Sequence, residues 1–143
     1  MFKNLLVTMS GGTTTVINAT LFGIVRQVAE ASSFNRVFAG VPGIAGLRQE
    51  SLVDLTGLSE SALMQLRRTP GSASIGTSRI ARLSIGELQT LGAVFERNNI
   101  GALINIGGNG TIQQTKAIAE VLGTQIQVAA APKTVDNDLG DMQ

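Results

Sequence analysis

A three-layer α/β fold, a Rossmann-like parallel sheet with helices on both faces, is the fold class this sequence predicts. Three observations predict it. Short apolar runs alternate with segments whose apolar residues recur every three or four positions. Glycines cluster where a run gives way to a helix, and the polar residues capable of chemistry gather at those same junctions.

Leu5-Leu6-Val7-Thr8-Met9 is a compact strand cut off by Ser10-Gly11-Gly12. From Thr13 the spacing turns helical, with Val16, Ala19, Thr20, Gly23, Ile24 and Val28 on one face and an end near Ala31-Ser32-Ser33. Residues 36–41 read as a second strand, closed by Pro42-Gly43 with Gly46 soon after. Residues 50–66 read as one or two short helices. Residues 69–79, rich in Gly, Ser and Thr, read as a long loop of the kind that often carries function. Ser84 can cap the next helix, with Glu87 three residues on as in a capping box, and Ile85, Leu88, Leu91 and Phe95 form its apolar face. Residues 102–106 are a third strand, followed by the turn Gly107-Gly108-Asn109-Gly110 and a helix over 111–122 that Gly123 stops. Residues 126–131 make the last strand, ending at Pro132. This order implies a parallel sheet with right-handed crossovers, whose carboxyl-end loops hold both glycine turns and the tail after Pro132.

Composition narrows the function. The chain of 143 residues has a single-domain length, enough to bury roughly 68% of its unfolded surface. Its net charge is +1, with the eleven basic residues scattered and only Arg67-Arg68 adjacent, so no basic stripe marks a nucleic-acid partner. Tyr and Trp are absent and Phe is limited to five, which removes the aromatic platforms of single-strand binders. Cysteine is absent, which excludes disulfides and zinc–thiolate sites. No apolar run approaches the roughly 20 residues of a membrane helix, and the expectation is a cytoplasmic protein with no membrane partner.

Without His or Cys, proton transfer and hard-metal binding fall mainly to carboxylates, and three of the four aspartates lie in the last thirteen residues. There Lys133 is followed by Asp136 and Asp138. Two aspartates at that spacing can divide the work: one takes a hydroxyl proton while the other holds Mg²⁺, which prefers oxygen ligands. Lys133 adds a compact positive charge suited to a phosphate. The same Asp-Asn-Asp run would also make an Asx-turn. Ser10-Gly11-Gly12-Thr13 lets backbone N–H groups and a helix N-terminus face an anion, yet alone it reads as turn geometry. Gly107-Gly108-Asn109-Gly110-Thr111 repeats the arrangement one unit later and serves equally as a phosphate cradle or a tight turn. It matches neither the P-loop nor the GxGxxG fingerprint.

Taken together, these segments resemble the phosphofructokinase family along the whole chain and in the right order. Ser10-Gly11-Gly12 with Val16-Ile17-Asn18 is similar to the family's first phosphate loop, and Gly43-Ile44-Ala45-Gly46-Leu47 to its G-x-x-G-L segment. Thr69-Pro70-Gly71 through Gly76-Thr77-Ser78-Arg79 is similar to its next nucleotide-side loop, and Ile106-Gly107-Gly108-Asn109-Gly110-Thr111 to its metal and phosphate loop. Pro132-Lys133-Thr134-Val135-Asp136-Asn137-Asp138 is close to the catalytic P-[GK]-T-[IV]-D-N-D.

The resemblance implies the N-terminal part of the phosphofructokinase fold and transfer of a phosphoryl group from ATP or pyrophosphate to the 1-hydroxyl of fructose 6-phosphate. It implies that Asp136 is the base, with Asp138 and Lys133 beside it in the catalytic loop, and that Thr134 and Asp136 touch the sugar. The donor phosphates would be lined by Gly11, Gly12, Arg79, Gly108, Asn109, Gly110 and Thr111, and Mg²⁺ would be held by Asn109 and Asp138. Asn109 stands where many members have Asp, which removes one carboxylate, although a pyrophosphate-using branch shares it. Lys133 is typical of pyrophosphate users, and Gly110 leaves the space a nucleotide needs, so the donor stays open between the two. Family members are much longer. The expectation is therefore a single domain, 1–143, truncated after the catalytic loop, from a parent that forms homo-oligomers. The isolated chain is expected to bind donor weakly and turn over nothing, or to be a non-catalytic phosphate-binding remnant.

Overall fold

A computed structural model describes residues 3–69, 74–80 and 82–134. Among these residues ten elements are seen: β1 (Asn4–Met9), α1 (Thr15–Ala31), β2 (Val37–Gly40), α2 (Gly43–Arg48), β3 (Leu52–Asp54), α3 (Glu60–Arg68), α4 (Ile85–Arg97), β4 (Ile100–Gly107), α5 (Asn109–Leu122) and β5 (Gln127–Pro132). One five-stranded sheet runs in the order β3-β2-β1-β4-β5. β1 pairs in parallel with β2 through Leu5 to Val37 and with β4 through Val7 to Ile104, and β4 pairs in parallel with β5 through Leu103 to Val128.

The α/β class predicted from the alternating runs is the fold observed, with two local corrections. The sheet is mixed at one edge, because β3 pairs with β2 antiparallel, Ala39 opposite Val53. Residues 52–54 therefore form a strand where a helix was expected, and only α3 is helical in that stretch. The other correction is α2, absent from the sequence reading. Its six residues include two glycines, and it forms because Ile44 and Leu47 are wholly buried beneath the sheet. Tertiary packing here outweighs poor helix propensity.

Pleating sends alternate side chains of β1 to opposite faces. Leu5, Val7 and Met9 meet Ile17, Leu21 and Val25 of α1 and Leu63 and Leu66 of α3 in one core. Leu6 turns the other way and, with Leu103 of β4, packs against α2, α4 and α5 through Leu47, Leu91, Phe95, Ile118 and Leu122. Each buried Leu, Ile or Phe contributes roughly 1.5–3 kcal/mol, and the two cores make the sandwich three layers thick. The predicted capping box is present: the Glu87 N–H donates to Ser84 Oγ, and the Ser84 N–H to Glu87 Oε2. Among the described residues no helix is long and apolar enough to cross a membrane.

This topology also fixes where a ligand can sit. From β1 the chain moves outward to β2, then returns to place β4 on the other side of β1. The loops leaving β1 and β4 thus diverge at adjacent carboxyl ends, and the crevice between them is the position at which open α/β sheets bind ligands.

Candidate functional site

That crevice is a real cleft, about 340 Å³ in volume. Its first wall is the turn after β1. The Ser10 N–H continues the ladder by donating to the Ile106 carbonyl at 2.9 Å, after which Gly11 takes a φ of +84°, a conformation that favours glycine. The second wall is residues 77–80, drawn to the same turn. The Gly11 N–H donates to the Ser78 carbonyl at 3.1 Å, and the Thr77 hydroxyl donates back to the Gly11 carbonyl at 2.9 Å. The Ser78 hydroxyl in turn accepts from the Ala45 N–H of α2.

The third wall is the start of α5. Gly108 occupies the N-cap, and its carbonyl accepts from the Thr111 and Ile112 N–H groups. Gly107 has no room for a side chain, since a Cβ there would run into the Thr111 side chain and the Ser10 carbonyl. A Cβ on Gly110, by contrast, would meet nothing within 4 Å. The fourteen-residue helix α5 directs its N-terminal dipole at this open space, and no acidic residue lies in its first turn to satisfy it. The fourth wall follows β5. The Lys133 N–H donates to the Gly107 carbonyl at 3.0 Å, and Lys133 Nζ lies 3.8 and 3.7 Å from where Cβ atoms on Gly11 and Gly12 would stand.

Gly11, Gly12, Arg79, Gly108, Asn109, Gly110, Thr111, Lys133 and Thr134, all singled out from sequence, line this one cleft. Asp136 and Asp138 lie outside the described residues. Ser78, Ile80 and Gln114 also line the cleft and were not singled out as site residues. For Gln114 the available signal was a polar triplet, Thr111, Gln114 and Thr115, on the buried stripe of α5.

The electrostatics favour an anion. Among the described lining residues there are two cations, Arg79 and Lys133, and no carboxylate, and no described carboxylate forms an ion pair with either. The buried hydroxyl oxygens of Ser10 and Thr14, flanking the first glycine turn, have no hydrogen-bond partner among the described residues. Among the described residues no three acidic, His or Cys side chains are grouped so that they could hold a metal ion. The described lining thus offers a divalent cation amide and hydroxyl oxygens only.

Fold and cleft together define an α/β protein whose strand-end cleft gathers two cations and a helix N-terminus. Comparison with known proteins is more specific. The phosphofructokinase profile matches residues 4–143. Pyrophosphate–fructose 6-phosphate 1-phosphotransferase of Methylococcus capsulatus is 34% identical over 145 residues, covering 96% of this chain and 34% of that one. ATP-dependent 6-phosphofructokinase of Borreliella burgdorferi is 30% identical over 135 residues, covering 92% of this chain and 29% of that one. The crystal structure of pyrophosphate-dependent phosphofructokinase from Nitrosospira multiformis superposes with a TM-score of 0.86 at 35% identity, covering 97% of this chain and 35% of that one. The chain belongs to the phosphofructokinase family, and it spans about a third of the length of these relatives.

Proposed function

We propose that this chain carries the donor-binding side of a phosphotransferase that moves the terminal phosphoryl group of ATP or pyrophosphate to the 1-hydroxyl of fructose 6-phosphate. The observation that carries the reading is the convergence of two glycine turns, the α5 N-terminus, Arg79 and Lys133 on one cleft with no described carboxylate opposing them. Phosphoryl transfer depends mainly on positioning and on stabilising charge on the equatorial oxygens, and backbone N–H groups with fixed cations supply both.

In this reading Asp136 accepts the proton of the sugar hydroxyl as the new O–P bond forms, and the bond to the donor's leaving phosphate breaks. General-base help of this kind is worth about 10²–10⁴ in rate. Thr134 would contact the sugar. Lys133 and Arg79 would neutralise donor oxygens, and Gly11, Gly12, Gly108, Gly110 and Thr111 would cradle them. Asn109 and Asp138 would hold Mg²⁺ against the donor, where the ion's charge offsets that of the phosphates.

Calorimetric titration of the chain with magnesium pyrophosphate and with MgATP tests the reading. Binding of at least one donor that weakens in Arg79→Met supports it, whereas no heat and no thermal shift with either donor sinks it. A second reading, a phosphate-binding module without the chemistry, rests on the described lining having no carboxylate of its own. In a coupled assay, fructose 1,6-bisphosphate formation that is lost in Asp136→Asn would exclude the module and overturn the expectation that the isolated chain turns over nothing.

A further inference from the structure

Beneath the cleft runs a chain of hydrogen bonds between fully buried polar side chains. The Thr8 hydroxyl of β1 donates to Asn105 Oδ1 of β4 at 2.7 Å. Asn105 Nδ2 donates to Thr115 Oγ1 at 3.1 Å and to Gln114 Oε1 at 3.3 Å, and Gln114 Nε2 donates to the Ile80 carbonyl at 2.7 Å. The Thr115 hydroxyl donates onward to the Thr111 carbonyl at 2.7 Å. Thr8 and Asn105 are 0% exposed and Gln114 3%, although Gln114 also borders the cleft. The chain therefore ties three walls together: the end of β1, the first turn of α5, and the segment bearing Arg79.

A buried polar network is costly unless each member is paired, so it is most informative where it ends. One branch of this one ends in helix α5, at the Thr111 carbonyl, and the other ends outside any helix or strand, at the Ile80 carbonyl. The Ser78 carbonyl is already fixed by accepting from the Gly11 N–H, and Thr77 by donating its hydroxyl to the Gly11 carbonyl. Ile80 is held by Gln114. Arg79 thus sits between two anchors, one supplied by the β1 turn and the other by the Gln114 carboxamide.

We propose that Gln114 is a positioning residue for the phosphoryl donor, holding the Ile80 carbonyl so that the Arg79 guanidinium is presented to the cleft. The proposal rests on the donor-site reading above. Gln114 need not touch the donor. Its effect passes through Arg79, so losing Gln114 should cost nothing further once Arg79 is gone. A merely structural role would instead weaken both backgrounds alike.

The test is a double-mutant cycle on the chain, with magnesium pyrophosphate as probe and affinity read by calorimetry. Gln114→Met should weaken binding about tenfold, the order expected when one charge-assisted hydrogen bond is removed. The Arg79→Met/Gln114→Met double variant should bind no more weakly than Arg79→Met alone. Undiminished binding by Gln114→Met, or additive losses in the double variant, would overturn the proposal and leave the donor site standing. No binding by the parent chain would remove the donor site and the proposal with it. A measurement on the parent covers the case in which the variants do not fold. The Gln114 carboxamide protons should exchange with solvent far more slowly than those of exposed Gln113, and equal exchange would show that the anchor does not exist.

Discussion

The Lys133 backbone N–H donates to the Gly107 carbonyl at 3.0 Å, so the first residue after β5 is fastened to the last residue of β4. The side chain of Lys133 is thereby carried back over Gly11 and Gly12. A flexible cation is held at the rim of the cleft by main-chain bonding, independent of its own charge.

Lys133→Met should accordingly leave the fold intact and weaken pyrophosphate binding by about ten- to a hundredfold, as expected for a charged hydrogen bond of roughly 1.5–3 kcal/mol. Calorimetry at two salt concentrations provides the check, because the variant should also show a shallower salt dependence. Unchanged affinity would take Lys133 out of the donor site.

Gly107 and Gly110 predict opposite outcomes for the same substitution. Gly107→Ala forces a methyl against the Thr111 side chain and the Ser10 carbonyl, and should destabilise the chain by about 1–3 kcal/mol. Gly110→Ala has open space at its Cβ and lies inside α5, so its melting temperature should be unchanged or higher. Thermal melts of the pair decide, and equal losses would show that the crowding is absent.

Helix α4 depends on its cap. Ser84→Ala removes the acceptor for the Glu87 N–H and half of the capping box, and should cost about 0.5–2 kcal/mol in denaturant unfolding. Glu87 also pairs with Arg48 of α2, so restoring the cap as Ser84→Asp should recover most of the loss.

Acid should loosen the molecule at two surface carboxylates. The Glu50 carboxyl is held below its ordinary value by hydrogen bonds from Arg97 and then Asn98. Burial pushes Asp54 up, but hydrogen bonds from Thr56 and the charge of Arg36 outweigh it, and the net shift is down. A carboxyl lowered in the folded state binds its proton more readily when unfolded. Its stabilisation is complete above the ordinary carboxylate range near pH 4 and is lost as pH falls through the lowered folded value. Glu50→Gln should therefore flatten the decline in melting temperature below about pH 4, and a slope identical to the parent's would refute the assignment.

How much of this was legible depended on whether the cause was local. β1, α4, α5 and β5 declare themselves through runs, periodicity and caps that operate within a few residues, whereas α1 is a helix as expected but buries Ile17, Leu21 and Val25 rather than the face through Val16, which is 49% exposed. α2 does not, because its glycines are required by close packing: a Cβ on Gly46 would strike the Val41 backbone. β3 is three residues long, and it is made a strand only by pairing with β2 across the sheet edge. The cleft was legible through its glycines, since both turns sit where strands end. Gln114 was not, because an amide on a helix face acquires its partners only when Asn105 and Ile80 arrive on either side of it.

The placement of β1 at the centre of the sheet has a bearing on how the molecule comes into being. Thr8 and Asn105 are 97 positions apart, and β1 meets its second neighbour only after β4 has been made. Contacts so remote form slowly, because the intervening chain must be closed into a loop before they return any energy. During synthesis the first glycine turn must therefore wait, open on one flank, until the ribosome has delivered β4 and the residues beyond it. No piece shorter than residues 10–134 contains every described residue that lines the cleft.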